Sequence, residues 1–153
     1  MDRCEKAYQY HKSGFNCAQC VSCVFSDLTG VDEKVTSALA GTFGGGVGGS
    51  HEEICGAASG ALMVLGLLYP HDEASDMEAK RRSYALGKEF RKRFTEVFGG
   101  LSRCGDLLKA RPGVSEKTPA AKRLGITGHC DIMIVTAVEL LEQMLEELKA
   151  EEQ

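Results

Sequence analysis

The apolar residues of this chain are spaced at helical intervals almost throughout, and one glycine-rich loop interrupts that pattern. Six of the 18 glycines lie between Gly41 and Gly49. On either side of this loop, no run of β-branched residues alternates in polarity as a strand would. Helices with one apolar face bury that face by packing against one another. The sequence therefore predicts an all-α fold for residues 1–153, a single-domain helical bundle of about six to seven helices with a Gly-rich loop.

Capping residues, apolar spacing and helix breakers set the limits of the predicted helices. The predicted ranges are Asp2 to about Lys12, Asn16 to Thr29, Asp32–Ala40, Cys55–Tyr69, Asp72–Phe98, a short helix after Ser102, and a last helix from His129 or Cys130. Residues 111–128 are expected to form a loop with one helical turn. The core contacts expected of the second and fifth helices are Cys17, Val21, Val24 and Leu28, and Tyr84, Phe90, Phe94 and Phe98.

The net charge of −4 limits the partners that this chain can bind. An acidic balance argues against the basic surface that nucleic acids require, so no nucleic acid is expected. The first residues carry both signs of charge and do not resemble a targeting signal, which makes the cytoplasm the expected location. One long uncharged run, Ile54 to Pro70, is shorter than the ~20 residues of a spanning helix, so no membrane insertion is expected.

Seven cysteines need an explanation other than stability, because 153 residues can bury a core without disulfides. In a reducing cytoplasm the expected roles are metal ligands, redox thiols or small buried residues. Cys17, Cys55 and Cys130 lie at or next to the first turn of a predicted helix, and Cys104 has the same placement on a shorter helix. If these helix starts meet, four thiols gather where helix N-termini favour thiolates. A tetrathiolate site is typical of iron–sulfur clusters and of Zn²⁺.

The other three cysteines fit such a site less well. Cys17, Cys20 and Cys23 form a Cys-x-x-Cys-x-x-Cys run like the start of a ferredoxin motif, but the completing Cys-Pro is absent. Cys17 and Cys20 share a helix face one turn apart, which makes them a candidate pair of metal ligands or redox thiols. Cys23 points away from Cys17, and we interpret Cys23 and Cys4 as ordinary residues. Burial as small core residues is the alternative for every one of these thiols.

The glycine-rich loop precedes the helix that begins near Cys55. The N–H groups of Gly44, Gly45 and Gly46 are candidates for contacts with an anion or a cluster sulfide, and tight packing against helices is the alternative. The small residues that start at Gly56 can also bring the backbone close to a cofactor. A nucleotide P-loop is excluded because no Gly-Lys-Ser/Thr ends the loop, and a Rossmann site because no strand precedes it.

Two histidines and one basic stretch are further candidates. His51 lies near Cys55 and His129 adjoins Cys130, so each is able to supply a proton or a ligand, with a surface-loop position as the alternative. The stretch 80–93 holds seven basic residues and one glutamate. Docking of an acidic partner is one interpretation of this stretch, and a solvated helix face is the other.

The order of these motifs resembles a known family. Asn16-Cys17-Ala18-Gln19, the glycine-rich loop, Cys55-Gly56-Ala57-x-x-Gly60-Ala61, a lone Cys104, and Cys130 at the last helix follow one another along the chain. This order resembles the C_GCAxxG_C_C family, to which redox activity is attributed. The resemblance implies a small helical redox protein that uses Cys17, Cys55, Cys104 and Cys130. A related domain occurs in split-Soret cytochromes, for which an iron–sulfur cluster has been proposed, and this favours a cluster here.

The leading hypothesis is a redox or electron-transfer protein in which Cys17, Cys55, Cys104 and Cys130 bind an iron–sulfur cluster, most simply [2Fe–2S]. A metal-free thiol–disulfide protein is the first alternative, and a helical partner-binding module is the second. Zinc is the alternative metal. The expected partner is a redox protein whose identity the sequence does not give, and a homodimer is one candidate assembly.

Overall fold

The computed structural model describes residues 2–113 and 118–153, and these residues form nine α-helices. They are α1 (Arg3–Ser13), α2 (Cys17–Cys23), α3 (Ser26–Thr29), α4 (Glu33–Ala40), α5 (Gly56–Leu68), α6 (Met77–Val97), α7 (Cys104–Ala110), α8 (Pro119–Leu124) and α9 (His129–Glu151). The only β-type pairing in the described residues is an isolated antiparallel bridge between Ile54 and Arg103. The predicted all-α architecture is confirmed.

Nine helices exceed the expected six or seven because one predicted helix is divided and the expected loop 111–128 contains α8. The helix predicted from Asn16 to Thr29 breaks near Phe25, whose N–H donates to the carbonyl of Ser22 at 3.4 Å in a tight turn. The chain then restarts as α3. This break turns Leu28 outward, where it is 49% exposed, so its predicted place in the core is wrong.

The aromatic residues of α6 form one layer of the core. Phe90 and Phe94 are fully buried, and Phe98 is buried just beyond the helix, as predicted. The ring centroids of Phe90 and Phe94 are 6.1 Å apart, and those of Phe94 and Phe98 are 4.9 Å apart. Tyr84 was expected in the same layer but is 63% exposed. It lies about 120° around the helix from Phe90, on the solvent side.

Helices α2 and α5 pack with their backbones in contact. The first two turns of α5 consist of glycine, alanine and serine residues. A Cβ atom built on Gly60 would lie only 2.5 Å from the carbonyl oxygen of Ala18 and 3.1 Å from Cβ of Val21. Such a spacing leaves no room for a side chain at this position. The close approach places the start of α2 beside the start of α5, and therefore brings Cys17 near Cys55.

The two longest helices, α6 and α9, lie side by side and carry charged residues on their exposed sides. Arg93 of α6 donates to Glu147 of α9 at 2.6 Å. Across the described residues, no helix combines the length and the apolar character needed to cross a lipid bilayer.

Candidate functional site

Four of the seven cysteines lie at helix starts, as predicted. Cys17 and Cys104 are the first residues of α2 and α7, Cys55 caps the start of α5, and Cys130 is the second residue of α9. Cys55 is only 3% exposed, whereas the other three are half-buried. All seven cysteines are free thiols. The four helix starts therefore supply one deeply buried thiol and three that are closer to solvent.

A short backbone bridge holds Cys55 next to Cys104. The N–H of Cys55 donates to the carbonyl of Ser102 at 2.8 Å, and the N–H of Cys104 donates to the carbonyl of Glu53 at 2.8 Å. These reciprocal bonds flank the antiparallel bridge between residues 54 and 103. Cys55 and Cys104, which are far apart in the sequence, are thereby held side by side by backbone hydrogen bonds alone.

The pKa values of three of the thiols depend on the fourth, Cys17. Burial raises the pKa of Cys55 to about 12 and that of Cys130 to about 11, and it also raises the pKa of Cys104. In all three residues the next cause is the negative charge of a Cys17 thiolate. Charge effects of this kind fall off with distance. Cys17 therefore lies within electrostatic reach of the other three thiols.

Cys55 has the most enclosed environment of the four. Its sulfur lies 4.0 Å from the sulfur of Met133 on α9. After burial and the Cys17 charge, the backbone amides of Ala57 and Ala58 act in the opposite direction and favour the thiolate of Cys55. These amides belong to the first turn of α5, where N–H groups have no partner within the helix. The deepest thiol therefore lies against the Met133 sulfur and near the first-turn amides of α5, without a side-chain cap hydrogen bond to them.

Glycines line the site because side chains do not fit there. A Cβ atom built on Gly56 would lie 2.3 Å from the sulfur of Cys17, and one built on Gly46 would lie 2.6 Å from Cβ of Cys104. A Cβ atom on Gly44 would lie 2.3 Å from the side chain of Asn16. Real Cβ atoms do not approach other atoms so closely, so any side chain at these positions would displace a cysteine or its neighbour.

The glycine-rich loop follows an unusual backbone path. Gly45, Gly46, Val47, Gly48 and Gly49 are consecutive residues with φ between 59° and 71°, which is the left-handed region. Left-handed residues normally occur singly, and a β-branched residue such as Val47 is strained in this conformation. Glycine adopts this conformation without strain, so the backbone strain of the run is confined to Val47.

The loop satisfies some of its N–H groups internally and leaves others without a partner. The N–H groups of Gly48, Gly49 and residues 50, 51 and 53 donate to carbonyls of the same loop at 2.7–3.1 Å. The N–H groups of Gly44, Gly45 and Gly46 find no acceptor in the described part of the chain. Gly44 and Gly46 are buried. Buried backbone donors without acceptors are rare in proteins, and they are suited to bind an anion or a sulfide.

These residues fit an iron–sulfur cluster better than they fit a single metal ion. Within residues 2–113 and 118–153, no three Cys, His, Asp or Glu side chains are arranged to hold a single metal ion. The ready-made single-ion geometry expected for zinc is thus not found there. The donor types do fit an iron–sulfur cluster, which is held by four thiolates and accepts hydrogen bonds on its sulfurs. The unpartnered glycine amides are donors of this kind.

The three remaining cysteines donate to backbone carbonyls. The sulfurs of Cys4, Cys20 and Cys23 lie 3.6 Å from the carbonyl oxygens of Val135, Phe15 and Glu33, respectively. Burial raises the pKa of Cys4 and of Cys20 to about 12, and also raises that of Cys23. Cys4 and Cys23 therefore have the environment of ordinary buried thiols. Cys20 differs because the Cys17 charge also contributes to its shift.

Sequence reasoning missed one pair of residues beside the site. Nδ1 of His11 lies 2.5 Å from a carboxylate oxygen of Asp131, the residue that follows Cys130. The charge of Asp131 raises the pKa of both Cys20 and Cys130. Because the two partners belong to α1 and α9, no local pattern reveals their contact. His51, which was a candidate, is exposed, and its carbonyl accepts from the N–H of Gly105 at 2.8 Å.

The fold and the site together define a small all-α protein with four cysteines gathered at helix starts around a glycine-rich loop. The chain belongs to the family described as "Putative redox-active protein (C_GCAxxG_C_C)", whose model matches residues 15–144. The matched range contains all four of these cysteines and the loop. No curated protein and no solved structure gives a significant match to the chain.

Proposed function

We propose that this protein transfers electrons and that Cys17, Cys55, Cys104 and Cys130 hold an iron–sulfur cluster, most simply [2Fe–2S]. The observation that supports the proposal is the placement of the Cys17 sulfur against Gly56, next to Cys55, together with the backbone bridge from Cys55 to Cys104 and the nearby glycine amides that lack acceptors. When bound, such a cluster takes up one electron from a reduced protein partner and passes it to an oxidised one, without making or breaking covalent bonds. A reducing cytoplasm, which keeps the thiols available, belongs to the same proposal.

The raised pKa values favour metal ligation over thiol–disulfide chemistry at Cys55, Cys104 and Cys130. A thiol that attacks disulfides needs a lowered pKa, because the thiolate is the nucleophile. Burial and the charge of a neighbouring thiolate instead raise the pKa of Cys55, Cys104 and Cys130. Bound metal reverses this effect, since its positive charge deprotonates a coordinating thiol. Cys55, Cys104 and Cys130 therefore have the electrostatics of ligands whose charge is balanced by bound cations.

The glycines have a distinct part in the proposal. The N–H groups of Gly44, Gly45 and Gly46, which have no acceptor in the described residues, are the donors we assign to the cluster, and hydrogen bonds from such groups to sulfur raise the reduction potential of a cluster. Gly56 acts by its lack of a side chain, because the sulfur of Cys17 occupies the space where a Cβ atom would lie. The chain's own residues thus bind, orient and tune the group.

Anaerobic purification, followed by iron and acid-labile sulfide analysis and visible spectroscopy, tests the proposal. We expect both elements to be present, and we expect Cys17→Ser, Cys55→Ser, Cys104→Ser and Cys130→Ser each to lose them. Cys4→Ser and Cys23→Ser are matched controls that remove a buried thiol outside the site and should retain them. A protein that lacks iron and sulfide after anaerobic reconstitution, or controls that lose them equally, would refute the proposal. Binding of stoichiometric zinc would identify the alternative metal.

A further inference from the structure

Cys20 is a buried thiol that does not belong to the proposed four-cysteine site. It is 0% exposed and lies one helical turn after Cys17. Its sulfur donates to the carbonyl of Phe15, which precedes α2. Cys4 and Cys23 also contact carbonyls, but Cys4 belongs to α1, and Cys23 lies about 120° around α2 from Cys17. Cys20 therefore has a closer relation to the site than the other two.

The geometry of α2 places Cys17 and Cys20 within disulfide range. Residues three apart on an α-helix have Cα atoms about 5 Å apart, inside the range of about 4.4–6.8 Å that disulfides span. Helical side chains tilt toward the N-terminus, so the side chain at position 20 leans over the turn that contains position 17. The 3.6 Å contact between Cys20 Sγ and the carbonyl oxygen of Phe15 confirms this direction.

The two thiols differ in access, as the members of an exchange pair do. Cys17 is half-buried and sits at the first position of α2, where its own N–H has no partner in the helix. Cys20 is enclosed, with none of its surface exposed. An outer thiol can meet an external disulfide, whereas an enclosed thiol reacts only with its neighbour.

We propose that Cys17 and Cys20 form a thiol–disulfide exchange pair in the metal-free protein, with a low-molecular-weight disulfide as the oxidant. The Cys17 thiolate attacks one sulfur of that disulfide, breaks its S–S bond and releases one thiolate, which leaves a mixed disulfide on Cys17. Cys20 then loses its proton, attacks the Cys17 sulfur and releases the second thiol. The pair gives up two electrons and two protons, and the external disulfide becomes two thiols.

The exchange pair has a direct consequence for the four-cysteine site. Cys17 is the residue whose charge affects the other three site thiols. A Cys17–Cys20 disulfide removes this residue from the ligand set, so thiol oxidation and occupation of the site exclude one another. This inference goes beyond the cluster proposal, because it concerns the protein without metal and involves a cysteine outside the family's motif.

Mass spectrometry of the reduced, metal-free protein after treatment with oxidised glutathione tests the pair. Trypsin is expected to release residues 13–34, which hold Cys17, Cys20 and Cys23, as one peptide. We expect this peptide to become two hydrogen atoms lighter, with only Cys23 open to alkylation. In Cys20→Ser, Cys17 should keep a stable glutathione adduct. Cys23→Ser is the matched control and should form the internal disulfide as the wild type does.

Two results would overturn the exchange pair. One is a Cys17 that links to Cys55, Cys104 or Cys130 in the wild type. The other is a Cys20→Ser variant that clears its glutathione adduct as fast as the wild type. These results are separable from failure of the cluster proposal, which iron and sulfide analysis of the anaerobic protein measures. A protein with a cluster but no Cys17–Cys20 disulfide refutes only the exchange pair, and the reverse refutes only the cluster.

Discussion

In the cysteine region, which comprises the four site cysteines and the glycine-rich loop, the atoms in contact belong to backbones and to sulfurs. The Cys17 sulfur occupies the space where a Cβ atom of Gly56 would lie. In the aromatic region, which comprises Phe90, Phe94 and Phe98, the atoms in contact belong to large side chains with ring centroids 4.9–6.1 Å apart. The first region depends on the absence of side chains and the second on their presence.

This difference predicts which kind of substitution each region tolerates least. Removal of a large side chain from the aromatic region leaves a cavity, which weakens the whole fold but does not block any site. Addition of one methyl group in the cysteine region forces atoms apart, because backbone atoms cannot rotate out of the way and the Cys17 sulfur can do so only by leaving its place in the site. We therefore expect stability to be governed mainly by the aromatic region and thiol geometry by the glycines.

The largest expected effect is that of Phe94→Ala. Phe94 is fully buried between two other rings, so the truncation should lower the free energy of unfolding by about 3–5 kcal/mol, measured by urea denaturation. Tyr84→Ala removes an exposed ring from the same helix and should change stability by no more than about 0.5 kcal/mol. If Phe94→Ala also changed the alkylation rate of Cys17 in the folded protein, the two regions would not be independent.

An intermediate effect is expected from Gly56→Ala, with Gly66→Ala as its matched control on the same helix. The new methyl group at residue 56 would overlap the Cys17 sulfur, so we expect a loss of about 1–3 kcal/mol and a changed alkylation rate of Cys17. Gly66 has nothing within 4 Å of a built Cβ atom, so its replacement should stabilise the protein by about 0.5–1 kcal/mol. Equal effects of the two substitutions would contradict the close-contact account.

The smallest expected effect, counted per pH unit, is a dependence of stability on alkaline pH to which the cysteine region contributes. The pKa of Cys55 is raised from an ordinary 9.0 to about 12, so below pH 9 both the folded and the unfolded chain keep this proton. As the pH rises above this value, only the unfolded chain releases the proton. The free energy of unfolding should then fall by about 1.4 kcal/mol per pH unit for each such thiol, until the pH reaches the folded-state pKa.

Urea denaturation of the reduced, metal-free protein from about pH 7 to about pH 11 measures this slope. Cys55→Ser should make the slope shallower, since one linked proton is lost. Phe94→Ala should lower stability at every pH and leave the slope unchanged. If Cys55→Ser retained the wild-type slope, the buried thiol would not be its source.

Most of the helices could be predicted because the capping residues and apolar spacing that define a helix act within a few residues of one another in the sequence. Asn16 was expected to cap the second helix, and its side chain does accept from the N–H of Gln19 at 2.9 Å in a capping box. The helix starts at Cys17, Cys104 and Cys130 follow from the same kind of reasoning. The break near Phe25 was missed because the apolar spacing continues through it, and spacing does not reveal a turn that tertiary contacts favour.

For the site, the sequence alone identified which thiols stand at helix starts and that a glycine-rich loop precedes Cys55. Both are local properties, since caps and glycines act within a few residues. Tertiary structure decided the rest: the bridge that joins Cys55 to Cys104, the left-handed path of the loop, and the contact of Gly56 with the Cys17 sulfur. These contacts join segments far apart in the chain, so they form only when the helices pack and bring backbones together.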